Sequence, residues 1–379
     1  MSHKHLFSRA LAAAPDRLHF AAHSHHFWPD VSRDAQLAAW DDAARAADLK
    51  WDKVMGPVWA EAQGHIAREL ALPDPASIAF ATNTHDFLVR IFASLPARTL
   101  GKPARALASD GEFHSFSRQM RRWVEGGEAK LDSAPLSSIA DMAENGDYDL
   151  IFVSQVQFNS GLVLGDVARL AALAKPDGPW VVIDGYHGFM ALDNDLSAIA
   201  DKVFYLGGGY KYAMAGEGVC FLHAPDGFAP RPTITGWFAA FDHLSESGGA
   251  LGYAPGGARF LGSTFDPSGL YRFNAVQAML TAEGLTTTAI SAHVASLQAQ
   301  FILADALPQF RLLNPLDGGR HARFLAYRGT GAGALHDALA ARNILTDVRG
   351  DVLRIGFAIY HDAADVAALI AALGEIGAG

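Results

Sequence analysis

The stretches WVVIDGYHGF (Trp180–Phe189) and KVFYLGGGYKY (Lys202–Tyr212) decide the fold of this chain. Each begins with an apolar run of strand length. The first run ends on Asp184, and the second ends on three glycines that precede Lys211. Apolar strands without clean alternation, separated by helices, are typical of a parallel sheet covered on both faces. Because such sheets gather functional groups at the carboxyl ends of their strands, Asp184 and Lys211 are the first candidates for a site.

The same alternation of strands and helices extends on both sides of these stretches. Strands are predicted at 77–82 and 149–157, and helices follow them. The composition changes after about Pro230. A long helical stretch then runs from near Tyr271 toward Leu307, and two more strands, at 323–328 and 352–357, flank a short helix. We therefore predict a large α/β domain at 31–270 and a smaller α+β domain at 271–379, with residues 1–30 as a separate N-terminal segment.

The bulk composition excludes several classes of protein. Half of the 379 residues are apolar, the net charge is −10, and Cys220 is the one cysteine. The negative charge argues against a nucleic-acid-binding surface, and a single cysteine cannot form a disulfide within the chain. No stretch reaches the ~20 apolar residues of a membrane span, and the N-terminus lacks the apolar run of a secretory signal. We expect a cytoplasmic globular protein with neither membrane nor nucleic-acid partners.

The glycines before Lys211 do not form a phosphate-binding loop. A Walker A loop needs Gly directly before the lysine and Ser or Thr after it, but Tyr210 and Tyr212 occupy those positions. The dinucleotide fingerprint also fails, because a glycine is missing three positions after Gly209. A lysine on a tight turn between two aromatic residues can instead be desolvated, which lowers the pKa of its amine and makes it a nucleophile. The alternative is an ordinary exposed loop lysine.

Other strand ends carry groups suited to a planar, phosphorylated cofactor. Asp184 could form a salt bridge with the ring nitrogen of a pyridine, or simply cap a helix. Asn83 and Thr84 stand where a strand gives way to a helix, so their backbone N–H groups could bind a phosphate. Phe113, beside His114, could stack on a planar ring.

The segment AAHSHHFWPD (Ala21–Asp30) contains His23, His25 and His26, which raises the question of a metal site. Zinc needs three or four converging ligands, and the chain has no Cys-x-x-Cys or His-Glu-x-x-His partner motif. We therefore predict no metal. A disordered arm is also disfavoured, because the surrounding residues are too apolar for a solvated tail.

Taken in order, these motifs resemble the class V aminotransferase family of pyridoxal phosphate (PLP) enzymes, and they are most similar to kynureninase. The G-Y-K-Y segment at 209–212 and the D-x-x-H segment at Asp184–His187 carry the resemblance. Weaker matches are TGWF (Thr235–Phe238), FLGSTFDP (Phe260–Pro267) and VQFNSG (Val156–Gly161). The resemblance implies the α/β, aspartate-aminotransferase-like fold of PLP-dependent transferases. That fold has a mostly parallel sheet in its large domain and a smaller α+β C-terminal domain.

The resemblance also implies a role for each matched residue. Lys211 would form the Schiff base with PLP and act with Asp184 as the catalytic pair. Asp184 would pair with the pyridine nitrogen, and His187, in the same segment, would also bind the cofactor. Phe113 would stack on the ring, and Gln157 would lie near the ring hydroxyl. The phosphate would be held by Asn83, Thr84, Tyr210 and Trp237, with Ser263 or Thr264 supplied by a second subunit. Arg354 would bind the substrate carboxylate, a task that suits its bidentate guanidinium.

The chain departs from kynureninase on the side of the substrate. AHSHHF replaces a G-N-S-L-G type segment, and an F-P-S-D segment appears as Phe113–Phe116 without its acidic residue. Thr264 stands where kynureninase has a substrate-contacting asparagine. The family folds its N-terminal segment, here 1–30, toward the active-site mouth and the small domain, so His23, Ser24 and His25 are the predicted substrate contacts.

The resemblance implies an enzyme whose small-molecule substrate is an amino acid and which forms a homodimer with shared active sites. C–C bond hydrolysis and transamination are the leading reactions. Elimination, epimerisation and a desulfurase or lyase reaction remain alternatives, as does a non-catalytic binding protein with the same fold. Desulfuration on the chain's own thiol is disfavoured, because Cys220 lies in the apolar, strand-like run GVCFLH rather than on a loop.

Overall fold

A seven-stranded sheet organises the computed structural model, which describes residues 2–243 and 251–377. Its strand order is β2-β8-β7-β6-β5-β3-β4, and β8 alone runs antiparallel to its neighbours. In chain order the strands of the described residues are β1 Leu18–His19, β2 Ile78–Ala81, β3 Ala104–Ser109, β4 Ala129–Ala134, β5 Leu150–Ser154, β6 Trp180–Asp184, β7 Val203–Gly208, β8 Cys220–His223, β9 Arg311–Leu312, β10 Phe324–Arg328, β11 Ile344–Leu345, β12 Asp347–Arg349 and β13 Val352–Gly356.

Helices pack around this sheet and around a second, smaller one. In chain order the α-helices of the described residues are α1 Ser8–Ala13, α2 Asp30–Ala46, α3 Lys50–Lys53, α4 Trp59–Glu69, α5 Thr84–Ser94, α6 Pro96–Thr99, α7 His114–Glu125, α8 Ile139–Asn145, α9 Val167–Leu173, α10 Ser268–Ala282, α11 Thr287–Leu303, α12 Ala332–Ala340 and α13 Ala363–Ile376. Within the same part of the chain, no helix combines the length and the apolarity needed to cross a bilayer.

The central strands form where the sequence predicts them, because their residues are apolar on both faces. Every residue of β5 and β7 is buried, as expected for strands covered on both sides. The carboxyl ends of β3, β5, β6 and β7 meet at one edge, since these strands are mutually parallel. The predicted α/β fold with a mostly parallel large sheet is therefore confirmed.

Two sequence expectations need correction. The strand predicted at 149–157 ends at Ser154, after which the chain leaves the sheet and Val156 makes only an isolated bridge to Val163. The long helical stretch predicted from Tyr271 toward Leu307 is two helices, α10 and α11. It breaks at Gly284, whose φ of +65° places it in the left-handed region that glycine adopts readily.

The glycines at the end of β7 allow a close approach of neighbouring groups. A Cβ on Gly208 would collide with the Tyr186 phenol, and a Cβ on Gly209 would collide with Val219 and the Gly216 carbonyl. Close packing, rather than phosphate binding, thus requires glycine before Lys211.

The C-terminal sheet is antiparallel, in the order β12-β13-β10-β9. The N-terminal segment joins this part of the molecule, because β1 pairs with β11 and the Phe20 carbonyl accepts a hydrogen bond from the Gly356 N–H at 2.7 Å. The Phe20 side chain is fully buried against Phe357 and is stacked on His361.

We expect Phe20→Ala to lower the free energy of unfolding by about 3–5 kcal/mol, because it leaves a cavity where the N-terminal segment packs on the C-terminal part. Urea denaturation followed by circular dichroism measures the change. Leu49→Ala is the matched control, since Leu49 is 73% exposed and should shift the midpoint little. Equal effects of both substitutions would contradict this assignment.

Candidate active site

A cavity of about 360 Å³ opens at the carboxyl edge of the large sheet. Six residues predicted from the sequence line it together with four that were not predicted. The predicted six are Thr84, Phe113, Asp184, His187, Tyr210 and Lys211, and the others are Ser154, Val156, Phe158 and Tyr186. The edge where β5, β6 and β7 end thus brings together the residues that the motifs selected.

The Lys211 amine is buried in this cavity. Its Nζ lies 2.7 Å from Nε2 of His187 and 5.2 Å from the centre of the Tyr186 ring. Burial, helped by the nearby positive charge of Arg354, lowers the pKa of Lys211 to about 7. A substantial fraction of the amine is therefore unprotonated near neutral pH, as a nucleophile or a base requires.

The His187 ring is a neutral partner for this amine. Burial and the Lys211 charge lower the pKa of His187 well below its usual 6.5. A neutral imidazole beside Lys211 can exchange a proton with the amine without placing a second full charge in the cavity.

Asp184 ends β6, and its carboxylate borders the same cavity. One oxygen accepts the Tyr186 N–H at 2.9 Å, which fixes the turn that carries Tyr186 and His187. A turn rather than a helix follows, so the helix-cap alternative does not hold. Burial raises the pKa of Asp184. A cationic ring N–H would compensate for this loss of hydration, because it would pair the carboxylate with an opposite charge.

The start of α5 lies at the cavity, where the sequence predicts an anion site. Asn83 caps the helix by accepting the Asp86 N–H at 3.0 Å, and Thr84 is its first residue and lines the cavity. The unpaired N–H groups of this first turn lie at the positive end of the helix dipole, where a phosphate is stabilised.

Aromatic rings surround the amine. Phe113 lies 5.8 Å from Nζ of Lys211 and packs edge-to-face with Phe158, and both rings line the cavity. Tyr210 lines the cavity, and its ring stacks on that of His25 in the N-terminal segment at a centroid distance of 4.9 Å. The His26 N–H donates to the Tyr210 carbonyl at 3.0 Å, which holds the histidine segment at this side of the site.

The three histidines of this segment differ sharply in their surroundings. His23 is fully buried and stacks on Phe324, whereas the His25 side chain is 64% exposed and Ser24 lies between them in a turn. The His26 ring lies within 2.8 Å of the Phe27 carbonyl oxygen. No cluster of potential metal ligands occurs within residues 2–243 and 251–377, and the three rings do not converge.

Five predicted cofactor residues do not line the cavity: Asn83, which is exposed at the start of α5, and Gln157, Trp237, Ser263 and Thr264. Gln157 turns toward Ser160, whose hydroxyl donates to its Oε1 at 2.8 Å. Ser263 and Thr264 line a separate recess beside the start of α5, and Trp237 is exposed. Their roles, like the assignments of the other site residues, remain predictions.

Arg354, on β13, lies behind the cavity wall with its guanidinium 5.7 Å from the ring of Phe158, a lining residue, and other groups of the chain already hold it. One terminal nitrogen donates to the Phe158 carbonyl and the other to Asp347, which is the cross-strand neighbour of Arg354 in the β12–β13 hairpin. Sequence reasoning missed Asp347. A signal was available, because a two-residue turn at Gly350 and Asp351 fixes the register that places Asp347 opposite Arg354.

Sequence reasoning also missed Glu112, for which no local signal exists. Its buried carboxyl group accepts hydrogen bonds from the Ser154 N–H at 2.8 Å and from the hydroxyls of Ser154 and Ser109, each at 2.6 Å. It thereby joins the ends of β3 and β5 next to Asp184. Burial raises the pKa of Glu112 to about 7.

The single cysteine is structural, as predicted. Cys220 is buried in β8, 3.1 Å from the Tyr186 hydroxyl, and burial raises the pKa of the thiol to about 12. Such a thiol is not a nucleophile at neutral pH.

Comparison with known proteins agrees with this geometry. Residues 289–373 match the family described as Kynureninase C-terminal domain. Isopenicillin N epimerases of Streptomyces clavuligerus and Amycolatopsis lactamdurans are 32% identical over 207 residues and 30% identical over 181 residues. These regions cover 52% and 43% of this chain and 50% and 44% of the relatives, so the chain spans about half the length of the curated relatives it matches.

Solved structures match along nearly the whole chain. C-DES with glycine covalently linked to its PLP cofactor gives a TM-score of 0.82 at 18% identity, over 99% of this chain and 100% of that one. A cysteine desulfurase from Thermococcus onnurineus NA1 gives 0.81 at 17% identity, over 99% and 98% of the two chains. The fold is therefore that of the PLP-dependent enzymes of fold type I, and the resemblance to the class V family is confirmed.

We expect Glu112→Gln to flatten the pH dependence of stability. The native state binds the Glu112 proton more tightly than the unfolded chain does, so stability falls as the pH rises from 4.5 to about 7. A neutral glutamine retains an acceptor oxygen and avoids this loss, which is on the order of 3 kcal/mol. Urea unfolding across that pH window measures it, with exposed Glu125→Gln as the control. A variant as pH-sensitive as the wild type would refute the assignment.

Proposed function

We propose that this protein is a PLP-dependent enzyme that moves the Cα proton of an amino acid. The observation that carries this proposal is the buried Lys211 amine, 2.7 Å from a neutral His187, in a cavity bordered by the Asp184 carboxylate. A buried lysine with a lowered pKa that lines the same cavity as a carboxylate suits a covalently held pyridine aldehyde.

The donor set fits PLP at each of its polar groups. Lys211 would hold the aldehyde carbon, Asp184 would accept the ring N–H, and the first turn of α5 at Asn83 and Thr84 would bind the phosphate. Phe113 would cover a ring face. When bound, PLP acts as an electron sink that stabilises negative charge at the Cα of an attached amino acid.

The residues of the chain supply the proton transfer. Once its nitrogen is free, Lys211 would take the Cα proton, because its pKa of about 7 lets it accept and return protons near neutral pH. His187 would relay that proton, since its ring nitrogen is within hydrogen-bond distance of Nζ. The aromatic walls of the cavity exclude water and keep both groups desolvated.

Proton transfer at Cα is the first step shared by the reactions expected from the sequence. Transamination and C–C hydrolysis both require it. Epimerisation, the activity named for two relatives, needs only removal of the proton and its return on the opposite face, and this makes it the second candidate. Desulfuration through the chain's own thiol is not proposed, because Cys220 is buried behind Tyr186.

We expect Lys211→Ala to abolish the visible absorbance band of protein-bound PLP and its fixation by borohydride, because no other amine lines the cavity in the described part of the chain. We also expect the variant to lose exchange of the Cα proton of L-alanine in deuterium oxide, measured by NMR. The loss in rate should be at least about 10²-fold.

Lys202→Ala is the matched control, since this exposed lysine lies near the other end of β7. A band that survives in Lys211→Ala would overturn the cofactor assignment. Retention of configuration, inversion, or appearance of a keto acid in the wild type would distinguish among the candidate reactions.

We propose further that two copies share their active sites, as the resemblance implies. The recess that contains Ser263 and Thr264 has a volume of about 630 Å³ and borders the start of α5, next to the exposed aromatic residues Trp237 and Phe241. Exposed aromatic groups beside a polar recess are typical of a surface that a partner covers.

We expect light scattering to give twice the chain mass of 40.4 kDa for the wild type, and Trp237→Glu to shift it toward a single chain. The variant should also lose PLP more readily, because residues of the second subunit would be withdrawn. Trp40→Glu, at a residue 68% exposed on α2, is the control. A monomeric wild type that retains bound PLP would contradict shared sites.

A further inference from the structure

Only one of the two N–H donors on the carboxylate-binding edge of Arg354 has a hydrogen-bond partner. A guanidinium binds a carboxylate bidentately through two parallel N–H groups, such as Nε and Nη2 on one edge. Here Nη2 donates to Oδ2 of Asp347, while Nε is buried without a hydrogen-bond partner. The internal carboxylate therefore contacts this edge through one oxygen and leaves a position that a second carboxylate could fill.

Asp347 is itself shared between two cations. Its Oδ1 lies 2.8 Å from Nη1 of Arg349, and its Oδ2 pairs with Arg354. Two guanidinium groups and one carboxylate leave one positive charge unbalanced beside the cavity. The Arg349 side chain is 40% exposed and that of Arg354 only 3%, so it is the buried guanidinium of Arg354 that shares its one carboxylate with a second cation and favours a further anion.

His23 provides a second position for Asp347. Its ring is fully buried and neither nitrogen has a hydrogen-bond partner, although Nε2 lies only 3.7 Å from Oδ2 of Asp347. Leaving two ring nitrogens unpaired in the interior costs free energy. A small rotation of the Asp347 carboxylate would satisfy one of them.

We propose that Asp347 occupies the position of the substrate carboxylate on Arg354 when no amino acid is bound. When a substrate carboxylate binds Arg354, the Asp347 side chain turns toward His23 and keeps its pair with Arg349. This inference rests on the proposed function, because it assumes an α-amino acid in the cavity. Asp347 and His23 are positioning residues, since they act through Arg354. No covalent bond changes, and the charge on the cluster is balanced by the incoming carboxylate.

Competition by Asp347 and a purely structural role of Asp347 predict opposite changes in carboxylate binding when Asp347 is replaced. If Asp347 only fixed the orientation of Arg354, its loss would weaken carboxylate binding. If it competes for Arg354, the isosteric Asp347→Asn removes the competitor, leaves two guanidinium charges uncompensated, and strengthens binding.

The experiment titrates PLP-loaded protein with L-alanine and, separately, with ethylamine, which lacks the carboxylate, and follows the shift of the visible band. The ratio of the two dissociation constants isolates the contribution of the carboxylate and does not depend on turnover. We expect Asp347→Asn to raise the preference for L-alanine by about tenfold. His23→Phe keeps the ring that stacks on Phe324 but lacks an N–H donor, so it should lower the preference for L-alanine. His23→Gln supplies an N–H donor and should restore that preference.

An unchanged or reduced preference for L-alanine in Asp347→Asn would overturn the proposal. So would equal ratios in His23→Phe and His23→Gln. Circular dichroism and an intact visible band confirm that each variant is folded and loaded. Failure of the proposed function would show differently, as a wild type without a Lys211-dependent band.

Discussion

Desolvation of the Lys211 amine is the constraint on which the site depends. The end of β7 must pass close to Tyr186 and β8, and only glycines at 208 and 209 permit that approach. The approach places Lys211 inside the protein, between aromatic rings and against His187. Since burial penalises the charged amine, the packing of one strand end determines both the position and the protonation of the reactive group.

The same low-polarity environment affects the other ionisable groups of the edge. Asp184 and Glu112 have raised pKa values because they are buried, and each is stabilised by hydrogen bonds from neighbouring backbone or hydroxyl groups. Groups with perturbed pKa values cluster at functional sites, and here they cluster where β3, β5, β6 and β7 end. The parallel arrangement of these strands therefore determines both which ionisable groups meet at this edge and how strongly burial shifts their pKa values.

The small sheet contributes the part of the site that would face a substrate. It places Arg354 against Phe158, a residue that lines the cavity, and pairs it with Asp347, while the N-terminal segment brings His23 to 3.7 Å from Asp347. Substrate recognition would thus depend on contacts between segments that are more than 300 residues apart in sequence. The spacing of the histidines in the sequence raises the question of a metal site. In the structure these histidines are adjacent in the chain but face different surroundings.

The sequence by itself determined β2, β5, β6, β7, β10 and β13, the candidate residues at the strand ends and the family resemblance, but not β3 or β4. Apolar runs specify buried parallel strands, and Asp184, Thr84 and Lys211 follow directly from where those runs stop. Only the tertiary structure decided which other side chains meet there. Glu112 joins two strand ends, Gln157 turns away after β5 ends early, and His23 lies unpaired beside Asp347. Local sequence patterns report on neighbours along the chain, whereas these contacts depend on side-chain direction and on pairing between distant segments.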